Sequence, residues 1–161
     1  MTAQSIVRLA NPDDEEGIMA LCRMLHEENG LFPLDDDMVR DTIRKAFNKQ
    51  GFIGVIGAKD ALEGIIYMVI SNFWYSKKPH LEELFNYVHP DHRKSEHAKS
   101  LIEFAKKCAT DDIRLVIGVI SNTRTEAKIR LYERRLGKPA GAFFVYPPPA
   151  AGTADTPPEP D

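Results

Sequence analysis

The sequence predicts an α/β (α+β) fold: a mixed, mostly antiparallel sheet with helices on both faces and one locally parallel pair of strands. Three observations carry that reading. Strand-like and helix-like stretches alternate along the chain. Two apolar strand runs are separated only by Lys59-Asp60-Ala61, a hairpin by loop length. A single helix lies between a strand ending at Val88 and an apolar run over 115–120, the connection that parallel neighbours need.

Each element has a local cause. Ile6-Val7-Arg8-Leu9 reads as a short strand. Asn11 then caps a helix with Pro12 at its first position, and Asp13, Asp14, Glu15 and Glu16 face the positive end of its dipole. Ile18, Leu21, Cys22 and Leu25 recur at helical spacing up to Asn29-Gly30, where glycine ends the helix. A second helix starts at Asp35 or Asp36, with Val39, Ile43, Ala46 and Phe47 on one face. Strands are expected over 52–58 and 62–70, then over Glu83 to Val88, followed by a helix from about Ser95 to Ala109. The continuous apolar run 115–120 reads as a strand buried on both faces. A basic helix, Glu126 to Leu136, stops at Gly137, and a last strand is expected over 142–146.

The 161 residues, 43% apolar and 28% charged, suit one globular domain over 1–146. Residues 147–161 hold six of the eleven prolines and no large apolar side chain, so a disordered tail is expected there. That tail carries Asp155, Glu159 and Asp161 without a base, which leaves 21 acidic against 21 basic residues in the body. Such a balance argues against a polycationic nucleic-acid coat. Cys22 and Cys108 sit in apolar-periodic stretches and read as small buried hydrophobes. The N-terminus has no secretory pattern, and no apolar run nears the roughly 20 residues of a membrane span. A cytoplasmic protein is expected, and exposed edge strands would allow a homodimer.

The chemistry concentrates in Val88-His89-Pro90-Asp91-His92-Arg93-Lys94-Ser95-Glu96-His97-Ala98. A strand ends, proline turns the chain, and two bases sit where a helix begins. Unpaired amides and the dipole at that point favour an anion, above all phosphate. Read without further context, the same stretch is also a solvated loop.

Arg93-Lys94-Ser95-Glu96-His97-Ala98 resembles the pyrophosphate loop of the GNAT superfamily of N-acetyltransferases, written Gln or Arg, two residues, Gly, one residue, Gly or Ala. The first and last positions match, and Glu96 stands in place of the central glycine. Leu131-Tyr132-Glu133-Arg134-Arg135-Leu136-Gly137 is similar to that family's L-Y-x-x-x-G signature, and the likeness spans 5–146 in element order. The resemblance implies direct acetyl transfer from acetyl-CoA to a primary amine, a small molecule or a peptide, in a ternary complex. It also implies that the strand ending at Val88 splays from its parallel neighbour and pairs with pantetheine.

The same resemblance implies roles for individual residues. Amides from Arg93, Lys94, Ser95, Glu96, His97 and Ala98 would cradle the pyrophosphate, and an amide near Tyr87 or Val88 would polarise the thioester carbonyl. Tyr132 would return a proton to the departing thiolate, and Glu82 would take the proton of the amine. Glu28, Phe32 and Trp74 would line the acceptor entrance, where acidic groups meet an aromatic wall. Each has a plainer alternative: Tyr132 as an aromatic anchor, Glu82 as a solvent-facing strand charge, Asp35 to Asp37 as a helix cap, Trp74 as packing.

Other classes were weighed on the residues themselves. His89, His92 and His97 fall within nine residues, but their spacings across a turn do not share a face and no cysteine joins them, so no metal is expected. The basic helix with Arg124, Lys128, Arg130, Arg134, Arg135 and Lys138 could bind a nucleic-acid backbone, yet Glu126 and Glu133 interrupt it. A catalytically silent CoA-binding or protein-interaction module of the same fold is the remaining alternative, favoured by Glu96.

Overall fold

A computed structural model describes residues 6–148. The expected tail lies outside those residues except for Pro147 and Pro148. Five strands form one sheet in the order β1-β2-β3-β4-β5: β1 Arg8–Leu9, β2 Gly51–Ala58, β3 Ala61–Asn72, β4 Pro79–Val88 and β5 Leu115–Val116. The first four run antiparallel, and β5 lies parallel to β4 after the crossover helix α3, His97–Cys108. Helices α1 (Glu15–Asn29), α2 (Asp36–Phe47) and α4 (Thr125–Leu136) complete the chain. No helix among the described residues is long and apolar enough to cross a membrane.

Two cores sandwich the sheet. Ile18, Met19, Leu21 and Cys22 of α1 and Ile43 of α2 pack on Ile53, Val55, Ile65, Tyr67 and Tyr87. Leu101 and Ala105 of α3 pack on Ile56, Ile66 and Met68 from the other face. This is the strand period of two expressed as burial. The start of the chain is pinned by one carboxylate. Asp14 is fully buried, accepts both Arg8 guanidinium nitrogens at 2.7 and 2.8 Å, and accepts the Asn11 amide at 2.9 Å. The Asn11 side chain in turn accepts from the Asp13 amide, the cap expected from the sequence.

Two expectations are corrected. The run 115–120 forms a strand only at Leu115–Val116 and is half-buried to exposed. Residues 142–146 form no strand: Phe144 and Tyr146 are each 95% exposed, although the Phe143 ring packs on Gly118. Alternating apolar residues need a free ladder to join, and β5 leaves β4 after two pairs, so none is offered.

Strand β4 holds the feature that positions the site. Tyr67 faces Phe85 and the next residue, Met68, faces Glu83, so β4 carries Leu84 as one residue too many. This is a β-bulge, and Leu84 is accordingly turned out to solvent. Strict alternation puts Glu83 and Asn86 on opposite faces. The bulge puts them together.

Candidate active site

The Asn86 side-chain amide donates to Glu83 Oε1 at 2.9 Å and also to the phenol oxygen of Tyr132. A backbone bond with Gly118 reaches the same carboxylate. Glu83 is buried, and burial raises its carboxyl to about 8, against the opposing pull of the Asn86 and Gly118 donors. Tyr132 is pushed well above the usual phenol value, first by burial and then by the Glu83 charge. Its oxygen accepts from Asn86, which leaves its own proton available for donation.

A second cluster lies alongside. Glu28 of α1 accepts from the Tyr87 hydroxyl at 2.7 Å and from Arg93 Nη2 at 2.6 Å. Burial works to raise the Glu28 carboxyl, but these two donors outweigh it and hold it below its ordinary range. Arg93 also lies 5.3 Å over the Tyr87 ring and donates from Nε to the Val88 carbonyl at 3.3 Å. Lys128, one turn before Tyr132 on α4, donates to Ser121 Oγ at 2.7 Å. Burial depresses its ammonium below the ordinary value, with Glu28 opposing that and Arg93 adding to it.

The expected residues divide into those brought together and those held apart. Tyr132, Tyr87, Val88, Arg93 and Glu28 converge on β4 and the start of α3. Glu28 takes its place there through Tyr87 and Arg93, whereas Phe32 and Trp74 are 76% and 94% exposed. Phe73 stacks on His80 at 4.6 Å and on Tyr75 at 5.6 Å, and Trp74 meets Tyr75 edge-on. Glu82 does not face Tyr132; its half-exposed carboxylate sits 3.8 Å from His80 Nε2. The residues missed by sequence reasoning are Glu83, Asn86 and Lys128. The i, i+4 spacing of Lys128 and Tyr132 was the available signal for the last of these.

An extended acyl carrier with a diphosphate needs an open strand edge and free main-chain donors at a helix start. β5 pairs with β4 only at Leu81 and Glu82, so the main chain from Glu83 to Val88 has an edge open to an extended amide chain. In the loop ahead of α3, the amides of Arg93, Ser95 and His97 are spent on internal turns, to Pro90 O, His92 O and Ser95 Oγ. Lys94 and Glu96 make no such internal amide bond among the described residues. Glu96 has φ −81°, a conformation open to any residue, and its carboxylate pairs with Lys99 at 3.1 Å. Lys94 is exposed and Ala98 half-buried. The edge, the loop and the phenol together fit such a carrier.

A mixed sheet with a bulged fourth strand, an open strand edge and a half-buried phenol beside it is the fold of an acyltransferase. The family model described as Acetyltransferase (GNAT) family matches residues 18–138, and the chain belongs to that family of acetyltransferases. Solved structures agree on the fold. A possible acetyltransferase from Clostridium difficile 630 is 18% identical, with 88% of this chain and 95% of that chain covered at a TM-score of 0.65. Ribosomal-protein-alanine N-acetyltransferase from Brucella melitensis biovar Abortus 2308 is 18% identical, with 87% and 97% covered at a TM-score of 0.64. AAC(6')-Iy in complex with the bisubstrate analogue CoA-S-monomethyl-acetylneamine is 15% identical, with 89% and 97% covered at a TM-score of 0.61. No curated protein matches the chain.

Proposed function

We propose that the protein moves an acetyl group from acetyl-CoA to a primary amine by direct attack in a ternary complex. The observation that carries this reading is the chain Glu83–Asn86–Tyr132 set beside the open edge of β4. The neutral amine attacks the thioester carbonyl, a C–N bond forms and the C–S bond breaks. Tyr132 gives its proton to the leaving thiolate, and Glu83 takes the proton released by the amine. A carboxyl near 8 is matched to that task at neutral to mildly alkaline pH. The base is thus assigned to Glu83, in place of Glu82. Unpaired thiols, buried at Cys22 and half-buried at Cys108, suit a cytoplasmic setting.

The test is thiol release from acetyl-CoA across a panel of polyamines, aminoglycosides and peptide N-termini. At least one amine should release thiol, with kcat/KM rising through an apparent pKa near 8 that disappears in Glu83→Gln. Acetyl-CoA binding without release on any amine would instead support the silent module. A rising limb unchanged in Glu83→Gln would return the base assignment to Glu82.

A further inference from the structure

We propose that Glu63, His92 and His97 form a binding site for a divalent ion of the zinc type, clipping β3 to the loop that precedes α3. One ligand atom from each residue lies within 4.8 Å of the other two. His97 Nε2 is 2.6 Å from Glu63 Oε2, and His92 Nδ1 is 3.5 Å from the same oxygen. The two imidazoles stack at 5.6 Å between centroids with an interplanar angle of 10°. Two nitrogens and a carboxylate oxygen within 4.8 Å of one another are the donor set of an open zinc site, and nitrogen donors select against magnesium and calcium.

The fold prepares this convergence from three segments. Glu63 is the third residue of β3, and its carbonyl accepts the His89 amide at 2.8 Å, which ties the turn down. His92 closes the 3₁₀ turn Pro90–His92, and His97 is the buried first residue of α3. Bonds of about 2.1 Å in a tetrahedral site separate ligand atoms by about 3.4 Å, so an ion would require the close His97–Glu63 pair to part by under an ångström and the half-exposed His92 ring to turn out of its stack on His97. His92 and Glu63 are both part exposed, so solvent has access to the cluster. His89 is not a member: its Nδ1 accepts the Asp91 amide at 3.2 Å. The spacing of the three histidines gave no metal because the third ligand is a carboxylate from a distant strand.

The ligands bracket Arg93 to Glu96, so an ion would fasten both ends of that loop. The site itself does not depend on acetyl transfer, and neither does its test. Untagged full-length chain, stripped with chelator, is titrated with ZnCl2 by calorimetry and with CoCl2 by visible absorption. We expect one equivalent of each, a Co2+ d–d band of a four- or five-coordinate site, and at least about tenfold weaker binding in His92→Ala and in Glu63→Gln, with His89→Ala within about twofold of wild type. Circular dichroism checks that each variant is folded. Failure to bind one equivalent, binding indifferent to Glu63→Gln, or equal losses in His89→Ala and His92→Ala would overturn the site.

Discussion

The two ends of this molecule are built on different terms. Among the described residues every buried apolar side chain lies between Ile18 and Ala105, in β2 to β4 and α1 to α3. From β5 onward no described residue is fully buried, and α4 has no buried residue at all. Yet that lightly packed segment supplies Tyr132, Lys128 and the Gly118 contact to Glu83. The front half provides the core and the face that carries Glu83 and Asn86, while the back half closes over it. Few buried contacts mean low local opening energy, which suits an element that must admit a substrate.

The contrast is tested most sharply by Tyr132→Phe. It should lower kcat by ~10²–10⁴ in the thiol-release assay while shifting urea unfolding by no more than about 1 kcal/mol, the value of one hydrogen bond. A large stability loss with little change in kcat would make Tyr132 an anchor. In the front half, Ile65→Ala should cost ~2–5 kcal/mol by urea denaturation, because Ile65 is fully buried between sheet and α1. In the back half, Phe144→Ser should fall within about 0.5 kcal/mol, as its ring is exposed. Similar costs at the two sites would erase the distinction.

Two buried carboxyls, both in the front half, tilt stability in opposite directions with pH. The Arg8 hydrogen bonds hold Asp14 below its ordinary value, so its stabilisation is present above the usual carboxylate range and lost as pH falls through it. Glu83 is raised to about 8, so the folded state binds more protons than the unfolded state and stability falls as pH climbs from its unfolded value toward 8. Asp14→Asn should cost ~1–3 kcal/mol near neutrality, discounted because Arg8 is over a third exposed, and should flatten the acid limb. Glu83→Gln should flatten the alkaline one. Unfolding midpoints at half-unit pH steps read both.

The smallest effect compares two residues in left-handed backbone. Lys49 after α2 has φ 63° and Arg124 before α4 has φ 53°. Lys49→Gly should stabilise global unfolding by about 0.5–1 kcal/mol, the strain relieved less the glycine entropy. Arg124→Gly should leave the global transition unmoved, since its segment opens without the core. A gain at Arg124 equal to that at Lys49 would show that the back half unfolds with the front.

How much of this was legible follows from where the information lies. Asn11-Pro12, the hairpin at Lys59-Asp60-Ala61 and the crossover into Leu115 are local signals, and each was read correctly. The loop from Arg93 to Ala98 stands out because its residues are contiguous. The strand expected at 142–146 failed because alternation describes a side-chain pattern, not the availability of a neighbour. Glu82 is what the resemblance implies, whereas the contact of Glu83 with Asn86 depends on one extra residue in the ladder, which leaves no trace in composition or periodicity. Glu63 was missed for a related reason: it meets His92 and His97 only through strand register.

Leu84 contributes no chemistry, yet it sets the phase of everything in β4 that does. Downstream of it, odd and even positions trade sides, as codons do after a single inserted base. Excising that one leucine would leave Glu83 opposite Met68 and Asn86 opposite Ile66, now two residues apart on a regular strand, while every reactive group in the chain stayed intact. Which carboxylate shares a face with Asn86 is therefore set by counting along the strand, and gaps matter when this stretch is aligned with its kin.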